Sequence, residues 1–317
     1  MFVAAGAPAM CRSLNGSKLR VLMYHRFVGG GGSLETALTR QFAYIRRNYH
    51  PVSLGEVVHS WQTGEPLPPR ALAITVDDGY ADFQRAWSVL KAFQLPATLF
   101  VVSGFVNRDI WLWPDVVQFC ITHSPLNRIC LDMPDSGRFE RSLATEADRQ
   151  TADADLDTVL LAMPDLPRRD LIAGLPQAAG ISLPTKIPDE YLPLSWDDLS
   201  KMASQGLEVG AHTETHPVLA RISSPAVLEK EVAGSKREIE DRLRLPVQHF
   251  CYPNGQASDF NAASVEAVRA AGFLSATTAQ RGLVSPGDNH WELRRIGVNA
   301  LMPNDTFELE LAGFRMR

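Results

Sequence analysis

The chain has 317 residues, 45% hydrophobic and 21% charged, and its 31 Lys+Arg against 36 Asp+Glu leave a net charge of −5. That composition is close to the average for a soluble globular protein and excludes long disorder, collagen-like repeats and a disulfide-stapled miniprotein. The mild acidity gives no electrostatic case for nucleic acid as a partner, and no apolar run approaches the roughly 18 residues of a membrane span.

The length accommodates two domains or one large α/β barrel. Met1–Met10 is mildly apolar but lacks a basic n-region, and its apolar stretch stops at Cys11-Arg12. It is a poor secretory leader, which points to a cytosolic protein, and residues 1–19 read as an N-terminal extension. The first strand is expected at Val21–His25. The Gly29–Gly32 run after it reads as a mobile loop; without a GxxxxGK[ST] pattern it is no phosphate cradle. Ser53 to Glu56 forms a capping box at a helix start, and Gly64 is a stop. A strand follows at Ala71–Val76. Phe83, Ala86, Trp87, Leu90 and Phe93 then recur at three- and four-residue steps, one face of a helix. The next strand is expected at Ala97–Ser103.

Pro125 to Pro193 breaks this rhythm. It offers no strand, only charged Ala/Leu-rich helical stretches and Pro/Asp-rich loops, and reads as a helical insertion between two βα units. Regular alternation resumes with a capping box at Ser195–Asp198, flanked by Leu194 and Leu199 as a hydrophobic staple. Gly206 stops that helix, and Leu207–Ala211 is the next strand. A helix starting at Ser224-Pro225 carries Leu228, Val232, Ile239 and Leu243 on one face and ends before Pro246. Strands at Val247–Cys251, Leu274–Thr278 and Arg295–Val298 complete the series. Such alternation predicts a mostly parallel sheet, closed into a barrel or open and doubly wound.

Three strand ends carry candidate chemistry, as parallel α/β folds place reactive groups there. Ala71–Val76 runs into Asp77-Asp78-Gly79-Tyr80. Two adjacent carboxylates repel unless a cation or hydrogen bonds compensate, although Asp78 or Asp82 capping the next helix is the simpler alternative. Leu207–Val209 leads to Gly210-Ala-His212-Thr-Glu-Thr-His216-Pro217. Histidines at i and i+4 project together from one helical turn and can share a metal, and two histidines with one carboxylate make a catalytic metal set. This is not the metalloprotease HExxH, since the acid is Glu214, expected to face solvent or cap a neighbour. Phe250-Cys-Tyr252-Pro253-Asn254-Gly255 is a tight turn that either exposes backbone N–H groups to an oxyanion or is only a turn. The cysteines Cys11, Cys120, Cys130 and Cys251 are scattered without a CxxC pair and read, with His290, as structural.

In this order the three motifs resemble the polysaccharide deacetylase group (NodB-homology, carbohydrate esterase family 4) over about Arg20–Gly104 and Pro193–Val298. The opening Val21-Leu-Met-Tyr24-His25-Arg26-Phe27 is similar to the subgroup with rearranged motifs found among bacterial exopolysaccharide deacetylases. The resemblance implies a distorted (β/α)7 barrel: one domain over residues 20–317 with the helical insertion at about 125–193. It implies that Asp78, His212 and His216 hold a divalent metal, most commonly Zn²⁺, and that Asp77 is the general base. It further implies that the Asn254 N–H is the oxyanion donor and that Arg295 fixes the base, with Arg294 as the fallback. The histidine that ordinary members use as general acid near the C-terminus has no match after His290; the resemblance to the rearranged subgroup, whose Tyr-His motif near the start supplies it, implies His25. Tyr252 and Trp113 are the expected substrate-wall residues, though Trp111 and Trp113 equally suit packing at the start of the insertion. The chain departs from the family pattern at Val76, Tyr80, Cys251, Tyr252 and Asn254, which bears on the substrate rather than on the metal residues.

The expected function is metal-dependent N-deacetylation of an N-acetylated amino sugar, in a cell-surface polysaccharide or, for a cytosolic enzyme, its lipid- or nucleotide-linked precursor. Two alternatives stand beside it: an amidohydrolase of small ureido or cyclic imide substrates on the same scaffold, and a carbohydrate-binding protein with a vestigial site.

Overall fold

The computed structural model describes residues 7–29, 32–134 and 137–314. Ten strands are present among them: β1 (Arg20–Tyr24), β2 (His50–Pro51), β3 (Ala71–Val76), β4 (Thr98–Val101), β5 (Arg128–Met133), β6 (Gly137–Ser142), β7 (Glu208–Ala211), β8 (His249–Cys251), β9 (Ser275–Arg281) and β10 (Leu293–Gly297). Seven of them, in the order β1-β3-β4-β7-β8-β9-β10, pair in parallel and close through β1–β10 into a barrel. β2 adds to the foot of β3, with His50 opposite Ala71. The expected (β/α)7 architecture is the observed one.

The alternation of side chains along each strand explains how the barrel is filled. Leu22, Leu72, Ile74 and Val76 pack in the large cluster that holds the surrounding helices. Val21, Ala71, Ala73, Phe100, Cys251 and Leu293 pack together in a second cluster. Phe100 occupies space that a side chain at position 210 would need, since a Cβ on Gly210 would lie 2.4 Å from its ring. Removing a buried phenylalanine of this kind costs about 3–5 kcal/mol. Along β3 the positions alternating with Ala71 and Ala73 continue to Thr75 and then Asp77, so one face of the strand is apolar at its foot and polar at its C-terminal end.

The helix signals are found where the sequence places them. Ser53 and Ser195 both make complete capping boxes, and Gly64 closes its helix in the left-handed conformation. Ser224 caps the Pro225–Glu229 helix, which runs through a π-helical turn at Lys230–Gly234 into the Ser235–Leu243 helix. Of the Gly29–Gly32 run, Gly30 and Gly31 lie outside the described residues, and Gly32 opens the Gly32–Asn48 helix. Residues 1–6 of the expected extension also lie outside them. No described helix is long and apolar enough to cross a membrane.

The insertion needs a correction. It contains an antiparallel hairpin, β5–β6, with Arg128 opposite Ser142 and Met133 opposite Gly137. One face of β5, Ile129, Leu131 and Met133, is buried with Phe139, while Arg128, Asp132, Arg138 and Glu140 keep the other face in solvent. That is the period-2 pattern of a half-buried strand, masked in the sequence by its charges. The hairpin and the helices Trp113–His123, Glu146–Ala162 and Asp165–Ala178 share a hydrophobic cluster of their own, which begins at Trp113, upstream of the compositional break.

Candidate active site

Four strand ends deliver the side chains. β1 is followed by His25 and Arg26, β3 by Asp77 and Asp78, β7 by His212, and β8 by Tyr252 to Asn254. Together with Arg295 from β10 they line one cavity of about 350 Å³. The backbone there is unusual. Among the described residues eight non-glycine residues have positive φ, and Asp78, Thr213, His216 and Asn254 are four of them. Left-handed backbone costs an ordinary residue about 1–2 kcal/mol, so its concentration at one end of the barrel marks a site that the fold holds under strain.

Asp78 faces both histidines: its Oδ1 lies 3.5 Å from His212 Nε2 and 3.6 Å from His216 Nε2. The His212 Nδ1–H donates to the Cys251 carbonyl at 2.7 Å, leaving the Nε2 lone pair for a ligand. Ligand atoms about 2.0–2.1 Å from one tetrahedral ion lie roughly 3.3 Å apart, so this donor set of two nitrogens and one oxygen fits a zinc-like divalent ion. The three groups are buried and converge within 4.8 Å. Asp77, His212 and Cys251 also converge, but Asp77 is already committed to a guanidinium, whose charge opposes a cation there. His212 and His216 are not on a helical turn, contrary to expectation. Thr213 and His216 take left-handed conformations in a loop, and His216 N–H donates to Thr213 Oγ1 at 3.0 Å. Four-residue spacing is compatible with either geometry; the anchoring of the loop decides.

Burial alone would favour a neutral Asp78, yet the two histidines hold its pKa below the usual carboxylate range. Burial, and then the charge of His212, push His216 down to about 3, so it is a neutral donor at pH 7. For His212 burial opposes the charged ring, and the Cys251 and Asp78 groups beside it outweigh that opposition and raise its pKa.

Asp77 sits next to this triad and is gripped by Arg295, Nη1 to Oδ1 and Nη2 to Oδ2, both at 2.7 Å. Burial would raise the Asp77 pKa, but the guanidinium overcomes it and the net direction is downward. Arg295 is itself fixed by the Thr278 carbonyl, Thr75 Oγ1 and Cys251 Sγ. Arg294, the fallback, is exposed on the other side of the strand. His25 is 46% exposed at the mouth, with Nε2 3.6 Å from Asp77 Oδ2. Among the described residues the Asn254 N–H donates to no protein group. Tyr252 is buried, stacks on Phe260 and lines the cavity.

Trp113 is elsewhere than expected. It is 7% exposed within the core of the insertion, with the Arg168 guanidinium 5.6 Å from its ring, and does not line the cavity. Its indole N–H donates to the His216 carbonyl at 3.1 Å. Trp113 therefore holds the His212–His216 loop instead of lining the cavity. Asp82, a candidate cap, makes no side-chain cap and instead pairs with Arg26 at 2.8 Å, while Glu214 pairs with Lys230 at 3.0 Å.

Sequence reasoning missed the far wall. Tyr80 donates to Asp115, whose pKa burial pushes up to about 7, and Arg26 lies 3.8 Å over the Tyr80 ring. The Glu146–Ala162 helix of the insertion adds Asp153 and Asp157 to the lining. The only signal was their i, i+4 spacing on a charged helix, which is also what a solvated face looks like. Cys251, read as structural, touches both Arg295 and Asp77.

Comparison with known proteins agrees with the fold. The fold superposes on the Streptococcus pyogenes deacetylase PplD in complex with acetate at a TM-score of 0.59, with 17% identity, covering 93% of this chain and 99% of that one. It superposes on IcaB from Ammonifex degensii at 0.59, with 18% identity over 95% and 98%, and on the BpsB deacetylase domain from Bordetella bronchiseptica at 0.55, with 19% over 90% and 97%. At these identities the likeness is one of fold. A 74-residue segment is 42% identical to the poly-beta-1,6-N-acetyl-D-glucosamine N-deacetylase of Escherichia coli K12, spanning 23% of this chain and 11% of that protein. The sequence profile described as polysaccharide deacetylase matches residues 64–140 and 172–276, more than half of the chain. A match of that extent, on a closed parallel barrel with these strand-end groups, has one consequence: the chain belongs to the polysaccharide deacetylase family.

Proposed function

We propose that the protein is a metal-dependent hydrolase that removes N-acetyl groups from amino sugars of an exopolysaccharide or its precursor. The observation that carries this reading is the convergence of Asp78, His212 and His216 beside an arginine-held Asp77 at the mouth of one cavity. The similarity to exopolysaccharide deacetylases supports the substrate class. A divalent ion held by the triad supplies Lewis-acid polarisation of the acyl oxygen and acidifies water. Asp77 accepts the proton of the attacking water. With its basicity lowered by Arg295, it serves as base only for a water that is already acidic. The Asn254 N–H, on the cavity lining and without a protein acceptor among the described residues, is assigned as the oxyanion donor. His25, exposed and next to Asp77, hands a proton to the departing amine, which is a poor leaving group without it.

The lining favours an amino sugar over a small anionic amide. Its two arginines are occupied, Arg26 by Asp82 and Arg295 by Asp77, so neither is available to anchor a substrate carboxylate. Asp115, Asp153 and Asp157 line the cavity and suit a reaction whose product is a cationic amine. The test is acetate release from N-acetylglucosamine oligomers, with and without chelator, alongside metal content. Chelator-sensitive release with about one ion per chain supports the reading. Bound metal without release on oligomers, but with turnover of small ureides or cyclic imides, favours the amidohydrolase alternative. A chain that binds no metal overturns the proposal.

A further inference from the structure

Glu231 is 4% exposed and takes no part in the chemistry above. Its Oε2 accepts the backbone N–H groups of Glu214, at 3.0 Å, and Thr215, at 2.9 Å, and its Oε1 accepts the Thr215 hydroxyl at 2.6 Å. Three donors of the segment between His212 and His216 thus converge on one buried carboxylate. The neighbouring residue, Lys230, pairs with Glu214 from outside. Both belong to the π-helical turn at Lys230–Gly234, inside a run that is otherwise α-helical from Pro225 to Leu243. No proline lies inside the turn, which ends on Gly234 with Ser235 following.

The segment that Glu231 holds is under backbone strain at Thr213 and His216. Its opposite side is fixed by the Ser103 and Gly104 N–H groups, which donate to the Thr213 and Glu214 carbonyls, and by Trp113 on the His216 carbonyl. Gly104 is close enough that a Cβ there would sit 2.7 Å from the Glu214 carbonyl oxygen. The loop is therefore clamped between the insertion side and the π turn.

We propose that Glu231 is a positioning residue that sets the spacing of His212 and His216 for metal binding, and that the π turn aims it at the loop. The proposal rests on the metal reading of the Asp78–His212–His216 site and goes beyond it, since Glu231 touches neither metal ligand nor substrate. Glu231→Gln keeps the shape of the side chain but removes its charge: the amide oxygen takes the two backbone N–H groups and the N–H₂ faces the Thr215 oxygen, so charge-assisted bonds give way to weaker neutral ones. Thr215→Val removes the hydroxyl bond alone.

The experiment titrates Co²⁺ into the chelator-treated full chain and follows its visible absorption and Kd for wild type, Asp78→Ala, Glu231→Gln and Thr215→Val. Circular dichroism of each protein establishes that it is folded. Expected is a loss of affinity of about 10–100-fold for Glu231→Gln, with an altered Co²⁺ spectrum, as for changes behind metal ligands elsewhere. Thr215→Val should lose roughly 2–10-fold. A Glu231→Gln protein with wild-type Kd and spectrum overturns the proposal while leaving the metal site standing. If that variant does not fold, Thr215→Val decides, and an unchanged Kd and spectrum there overturn the proposal in the same way. If wild type itself fails to bind, or Asp78→Ala binds as well as wild type, the metal reading fails and takes this inference with it.

Discussion

Arg295 and Asp77, 218 residues apart in the chain, meet through two parallel 2.7 Å hydrogen bonds with side chains only 1% and 2% exposed. A buried ion pair of this kind is defensible only when every remaining donor is satisfied, and Thr278, Thr75 and Cys251 take the other guanidinium contacts. The geometry locks the carboxylate in place and lowers its basicity in the same contact. Arg295→Met should therefore do two things. Stability should fall by about 3–5 kcal/mol, because a buried carboxylate loses its partner. The acid limb of the pH–rate profile should also move to higher pH, because burial then raises the Asp77 pKa with only His25 and His212 left to oppose it. Denaturant unfolding and a pH–rate profile check both, and an unmoved acid limb would show that Asp77 is not the group titrating there.

Asp77→Asn separates base from ligand. The amide keeps the volume and loses the ability to accept a proton, so turnover should drop by about 10²–10⁴-fold while the bound metal is retained. Asp78→Ala and His212→Ala should lose both. Metal analysis beside acetate release distinguishes the two patterns, and normal turnover in Asp77→Asn would remove the base from its assigned position.

Metal binding should release protons. His212 carries a raised pKa in the metal-free chain and so holds a proton at neutral pH between Asp78 and the Cys251 carbonyl. An ion displaces that proton, so affinity should weaken as pH falls, with about one proton released per ion near pH 7. Calorimetric titrations in buffers of different ionisation enthalpy measure the number. Zero release would mean that His212 is already neutral or is not a ligand.

His25 reaches the site from β1 and remains half in solvent. If it protonates the leaving group, His25→Ala should slow amide hydrolysis far more than hydrolysis of an activated aryl ester, whose leaving group needs no proton. The ratio of the two rate losses is the measurement. Equal losses would assign His25 to shaping the mouth alone.

Much of this was legible before any coordinates. The barrel strands are short apolar runs ending in polar residues, and Ala71–Val76 is bounded as its sequence indicates because Arg70 and Asp77 flank it. The β5–β6 hairpin was not, because Arg128, Asp132 and Arg138 on its solvent face break up the apolar run in the sequence and look like the solvated helices around them. The loop geometry of His212 and His216 was also hidden: equal spacing arises on a helical turn and in a strained loop, and the left-handed Thr213 has no signature of its own. Trp113 illustrates a third reason. A tryptophan at the mouth of a barrel and one beneath it read alike, and only the seating of the insertion tells them apart. Glu231 left a trace, as an acid three residues after Leu228 on the face that also carries Val232, Ile239 and Leu243.

The acidic wall contributed by the insertion makes a prediction about stability. Burial, with Asp153 beside it, raises the Asp157 pKa from the usual 3.8 to about 7. Between those pH values the folded chain holds a proton that the unfolded chain has already lost, so stability falls as pH rises from about 4 to about 7 and levels off above that. Below pH 4 both states are protonated and the group contributes nothing. Asp157→Asn should therefore melt close to wild type at pH 4 and above wild type at pH 8, with the gap opening through the interval. The sign is opposite to that of a salt-bridged carboxylate such as Asp77, whose contribution is lost on acidification. Melting temperatures of the two proteins across pH 4 to 8 test it: a constant difference would mean that Asp157 titrates normally and that the wall it belongs to is open to water.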